Sequence, residues 1–120
     1  MPVLSGGSKF VTHATALSTT SDTDCYVVPL NFSSHVEHLI ITNSDASNRN
    51  YTLKFYEADT TTTHTLFSSH AVTGKGSESI FTIDKPLYIH EGDKLIVAAG
   101  TVDTLTVVVA AEEFYEGARG

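Results

Sequence analysis

Positive charge is scarce in this sequence. Its seven basic residues, Lys9, Arg49, Lys54, Lys75, Lys85, Lys94 and Arg119, lie apart from one another against fourteen acidic residues, for a net charge of −7. A phosphate backbone is held by clustered lysine and arginine, so no nucleic-acid partner is expected. An anionic membrane surface is set aside on the same ground. The acidic excess favours solubility at high concentration. Cysteine is reduced to Cys25, which leaves no intrachain disulfide and points to synthesis in a reducing cytosol. No run approaches the ~20 apolar residues that cross a bilayer. The opening "MPVLSGGSKF" lacks the basic start and apolar stretch of a secretion signal. Without such a signal, the glycosylation patterns at Asn31-Phe32-Ser33 and Asn50-Tyr51-Thr52 read as chance. Helical periodicity is missing too. No segment places apolar residues at i, i+3, i+4 and i+7 over three turns.

Hydroxyl side chains fill the space that charge leaves. The chain holds seventeen threonines and twelve serines, and threonine's branched Cβ is crowded in a helix but comfortable on a pleated sheet. Short apolar runs alternate with breaker clusters. The expected strands are 9–15, Cys25–Leu30, His35–Asn43, Tyr51–Glu57, His64–Val72, Ser79–Ile83, "PLYIH", "KLIVAA" and Thr104–Phe114. Pro29 donates no ladder bond, so its strand ends there or lies on an edge. "YTLKFYE" has the cleanest period of two, with Tyr51, Leu53 and Phe55 on one face. In "SIFTI", Phe81 and Ile83 are expected inward. The segment "VVVAAEEFYEGAR" is the nearest helical candidate, with Gly117 as a C-cap, but its valine triplet favours strand. Connections this short suit hairpins and leave no room for crossover helices. The expected architecture is all-β: an antiparallel β-sandwich, jelly-roll-like, of eight or nine short strands. It occupies residues 9–116, between a flexible arm over 1–8 that pivots at Gly6-Gly7 and a tail over 117–120.

Six histidines call for a test of metal chemistry. In "HVEH", strict alternation puts His35 and Glu37 on one face and His38 on the other, so only two of the three can meet one ion. His64 and His70 share parity but stand about 20 Å apart along an extended strand. A cupin-like metal protein would need H-x-H and a nearby glutamate, a spacing "HVEHLIITN" misses by one residue. Surface or inter-subunit histidines are the simpler reading, and no metal or cofactor is expected. Cys25 sits among apolar neighbours and reads as a packed thiol. There is no G-x-S-x-G elbow, and "GKGS" (residues 74–77) lacks the spacing and helix of a phosphate loop. Asp22, Asp24 and Asp45 could ligate calcium at loop tips, but the calcium-loop pattern is absent. Glu112, Glu113 and Glu116 read as a solvated end. The phrase "HEGD" gathers three titratable side chains, but Gly92 marks a chain reversal. Glu91 and Asp93 are expected to flank it facing water.

The phrase "KPLYIHEGDKLIVAAGTVDTLTVVVAAEEF" combines a proline-led strand, an E-G-D turn, a Val/Ile-rich strand, a small-residue loop and a Thr/Val strand. It resembles the closing segment of small β-sandwich virion proteins of tailed bacteriophages, and "LIITNSDASNRNYTLKFYEA" looks like their central hairpin. The resemblance implies a non-enzymatic structural protein with no catalytic residue. The leading version is a head decoration (cement) protein on the outer capsid surface; the alternative is a neck, tail or fibre component. It further implies synthesis in the host cytoplasm, residence in the virion, and as partners the major capsid protein or other virion proteins, with the chain a homotrimer or other homo-oligomer. The expected contact residues are Val3, Leu4, Phe10, Tyr88, His90 and Tyr115. A carbohydrate-binding sandwich is the remaining alternative; it would display aromatics, for which Tyr56, Tyr88 and Tyr115 are the candidates.

Overall fold

The computed structural model describes residues 7–116. Among these, nine strands form and no helix does: β1 (Ser8–Ala16), β2 (Thr23–Val27), β3 (Phe32–Asn43), β4 (Arg49–Glu57), β5 (Thr62–Val72), β6 (Ser77–Phe81), β7 (Leu87–His90), β8 (Lys94–Ala99) and β9 (Leu105–Tyr115). The helical reading of "VVVAAEEFYEGAR" gives way to strand as far as Tyr115. Of the arm expected over 1–8, Ser8 already belongs to β1. Residues 1–6 and 117–120 lie outside the described residues.

Every strand pairing is antiparallel. One sheet runs β1-β9-β3-β6, with β7 also paired to β3, and the other runs β2-β8-β4-β5. Set side by side, the two orders are the same ladder displaced by one strand. A long hairpin wrapped around a common core produces this jelly-roll order. The ninth strand arises because β6 and β7 divide one edge position. The former pairs with Leu39–Thr42 and the latter with Ser33–Val36. Between them the chain makes a Thr82–Lys85 bridge. Strand pairing has therefore ended at Phe81, and Ile83, expected inward, is 65% exposed.

The core follows the period of two. Leu105, Val107, Val109 and Ala111 of β9 are buried, facing Val36, Leu39 and Ile41 of β3 on the same inner layer. Tyr51 and Leu53 of β4, with Leu95, Val97 and Ala99 of β8, form the opposite layer. At about 25 cal/mol per Å² of apolar surface removed from water, this layer is the main source of cohesion. Proline acts as expected at β2, which ends at Val27 before Pro29 and is also a sheet edge.

Two buried tyrosines tie the sheets together through glutamates. Tyr26 Oη of β2 donates to Glu113 Oε2 of β9 at 2.5 Å and lies 2.9 Å from Ser34 Oγ. Tyr51 Oη of β4 donates to Glu78 Oε1 of β6 at 3.0 Å, and Glu78 Oε2 meets His70 Nε2 at 2.9 Å. Glu113, expected in a solvated end, is 2% exposed. The alternation that buries Val107, Val109 and Ala111 carries inward to position 113, where a phenol awaits the carboxylate.

Burial holds both phenols above their ordinary 10.0, aided by the adjacent carboxylates, and raises the Cys25 thiol from 9.0 to about 11. All three groups are therefore neutral when folded and ionise first in the unfolded chain. Above about pH 9 the unfolded state binds fewer protons, so stability falls as pH rises. The urea midpoint is expected to drop between pH 8.5 and 10.5, and Cys25→Ala should flatten the first part of that fall. A midpoint that stays level over this range would contradict the neutral burial of these groups.

Candidate functional site

A bulge in β3 reshapes the outer face of the five-stranded sheet. Val36 stands opposite Ala111 and His38 opposite Ala110, so β3 carries one more residue than β9 at this point. Inward parity consequently changes from Ser34 and Val36 to Leu39, Ile41 and Asn43. Glu37 and His38 both fall between inward residues. His35, Glu37 and His38 thus share the outer face, which corrects the expectation that His38 points the other way. An irregularity of register is what strict alternation cannot foresee.

The pairings then assemble a row across four strands. Phe10 of β1 stands opposite Glu112 of β9, Glu112 opposite His35 of β3, and His35 opposite Tyr88 of β7. At about 4.8 Å per strand the row is about 14 Å long. Its ends are apolar and open: Phe10 is 74% and Tyr88 68% exposed. Its centre is polar. The His35 and Tyr88 rings stack at 4.5 Å, His35 Nδ1 lies 4.0 Å from Glu37 Oε2, and Ser8 Oγ donates to Glu112 Oε2 at 2.7 Å. The adjoining row places His90 opposite Ser33, exposed on the same face.

Of the contact residues expected from sequence, Phe10, Tyr88 and His90 lie on one face of the sheet, Phe10 at one end and the other two at the opposite end. Tyr115 does not: it is half-buried and packs edge-on against Phe32 with centroids 5.4 Å apart. Val3 and Leu4 lie outside the described residues. Of the other tyrosines considered for sugar stacking, Tyr56 is half-buried beneath Lys94 Nζ, 5.4 Å from its ring. Sequence reasoning missed Glu112, which reaches this site only because the last strand lies between β1 and β3.

The remaining polar candidates have structural partners. Asp22 pairs with Lys54 at 3.0 Å, Asp24 with Lys94 at 3.2 Å and Asp45 with Arg49. Three separate cations hold these three aspartates. The Arg49 guanidinium also holds the Asp45 carboxyl below its ordinary range. The "HEGD" phrase is likewise a joint. Gly92 adopts φ +83°, where glycine alone is unstrained. Asp93, expected to face water, is 4% exposed. Its carboxylate accepts from the backbone N–H of Ala58 at 2.9 Å and of His90 at 2.8 Å. Glu91 Oε1 accepts from Asn31 N–H at 2.8 Å. The turn is pinned to the β2–β3 and β4–β5 connections, and these close approaches turn its charges inward.

A groove of about 410 Å³ opens between β1 and β2, lined by Thr12–Thr15 and Asp24–Val27. The Cys25 thiol borders it but is held protonated by burial, with a pKa near 11, so it is a poor nucleophile at neutral pH.

Neither a family model nor a curated protein matches the sequence. A solved fold does. The chain is similar to a protein of the Bacillus endospore appendages, which form a novel family of disulfide-linked pili, at 13% identity over 97% of this chain and 96% of that one, with a TM-score of 0.51. At that identity the likeness is one of fold. It extends over nearly the whole length of both chains.

Proposed function

We propose that this chain is a non-enzymatic structural subunit that works by docking through the outer face of its five-stranded sheet. The observation that carries the reading is the row from Phe10 to Tyr88, which exposes an aromatic ring at each end on a rigid sheet. Large rings held open to water at fixed spacing are the anchors around which protein contacts form. The setting we favour is the virion of a tailed phage, with the chain decorating the outer surface of the head as a homotrimer or other homo-oligomer against the major capsid protein. That choice rests on the phrase from Lys85 to Phe114, which spans β7, β8 and β9. A neck, tail or fibre position is the next version of the same reading.

The fold likeness to an appendage protein supports a structural role and favours a second setting, a subunit of a surface filament. Filaments of this chain would be joined without disulfides. Cys25 is the sole thiol of the sequence and is 5% exposed, and one buried thiol cannot link a subunit to two neighbours.

Phe10→Ser tests the contact face. Burying one aromatic side chain contributes about 2 kcal/mol, so the variant should bind purified particles roughly thirtyfold more weakly while its circular dichroism and melting remain those of the parent. Tyr88→Ser should do the same. Unchanged occupancy for both variants would sink the docking face. Binding to filaments but not to capsids would transfer the role to the second setting.

A further inference from the structure

We propose that His35, Glu37 and Glu112 form a binding site for a divalent transition ion of the zinc type on the outer face of the five-stranded sheet. Each offers one ligand atom, a ring nitrogen or a carboxylate oxygen, and the three atoms lie within 4.8 Å of one another. A zinc-type ion sits about 2.1 Å from imidazole nitrogen and carboxylate oxygen alike, so modest side-chain rotations bring this set onto one ion. One imidazole with two carboxylates suits a borderline ion rather than a soft thiolate-seeking one.

Three features distinguish the cluster from an ordinary acidic surface. His35 spends neither ring nitrogen on a close hydrogen bond: Nε2 is buried and has no partner, and Nδ1 only faces Glu37 Oε2 at 4.0 Å. Neither carboxylate has a lysine or arginine partner among the described residues. The supports that orient metal ligands are already in place: the stacked ring of Tyr88 fixes the plane of His35, and Ser8 Oγ fixes one oxygen of Glu112. Strand pairing is the decisive element, because the antiparallel register of β3 and β9 sets Glu112 opposite His35 while alternation along β3 keeps Glu37 on the same face. Three protein ligands leave further coordination positions for water or for a group from a docked molecule. The metal site is a separate claim from the assembly role, since its ligand atoms belong to His35, Glu37 and Glu112 and not to the exposed rings.

The test is calorimetric titration of the purified full-length chain, stripped with chelator, with zinc chloride at neutral pH. Uptake of one equivalent by the parent is expected. Glu112→Gln and His35→Phe, the latter keeping the stack on Tyr88, should each weaken binding at least tenfold with circular dichroism unchanged. His70→Ala, which removes the separate His70–Glu78 pair, should leave it intact. Absence of binding by the parent would show a histidine–carboxylate contact without metal and overturn the proposal. So would full retention of binding in both Glu112→Gln and His35→Phe, or its loss in His70→Ala.

Discussion

Asp93→Ala is expected to destabilise the fold by about 3 kcal/mol and lower its melting midpoint by roughly 10 °C. The carboxylate accepts two backbone hydrogen bonds, from Ala58 and His90, in a site only 4% exposed. Removing it leaves two partly buried N–H groups without their acceptor, each costing about 1–2 kcal/mol. The damage should spread beyond one hairpin, because Ala58 lies in the β4–β5 turn and His90 ends β7. Backbone bonds through Val28 N–H to Asp93 C=O and Gly92 N–H to Val28 C=O hang on the same turn. Asp93→Asn retains one carbonyl acceptor and should recover about half of the loss. Thermal unfolding of the three proteins checks this. A midpoint for Asp93→Ala within 2 °C of the parent would mean that water replaces the carboxylate and that the turn is not a joint.

Tyr26→Phe should cost about 2–3 kcal/mol although it deletes a single oxygen. Hydrogen bonds to charged acceptors contribute about 1.5–3 kcal/mol, and the Glu113 carboxylate left behind is 2% exposed. Lys9 Nζ, 3.8 Å from Glu113 Oε1, is itself largely solvated and compensates only weakly. The asymmetry between removing one partner and removing both supplies the stronger check. Tyr26→Phe with Glu113→Leu takes away donor and acceptor together, and that pair should be more stable than Tyr26→Phe alone. Urea unfolding of the double-mutant cycle measures the coupling. Equal stability of the single and double variants would show that the phenol does not sustain the buried carboxylate.

Much of the fold is legible because its physics is local. Threonine-rich alternation, proline at 29 and the Glu91-Gly92-Asp93 reversal each act within a few residues. The nine expected runs accordingly coincide with the nine strands to within a few positions at each end. Ile83 and His38 fail for one shared reason: parity carries only as far as strand pairing stays regular. Pairing ends at Phe81 for the first and shifts at Glu37 for the second. Burial of Asp93 and Glu113 was illegible for a different reason. A carboxylate reads as solvated unless its donors are known, and one donor to each, Ala58 N–H for Asp93 and Tyr26 Oη for Glu113, is remote along the chain.

The sequence by itself determined the class of structure: an antiparallel sandwich of short strands, without disulfide staples, basic patches or crossover helices. Period-two burial and turn chemistry suffice for that, since both are properties of neighbouring residues. Only the tertiary structure decided which residues meet. Insertion of β9 between β1 and β3 sets Glu112 beside His35 and Phe10, across separations of 77 and 102 positions in the numbering. One extra residue in β3 then turns His38 to the same outer face. Register between distant strands is settled by the packing of the whole core, and no local pattern encodes it.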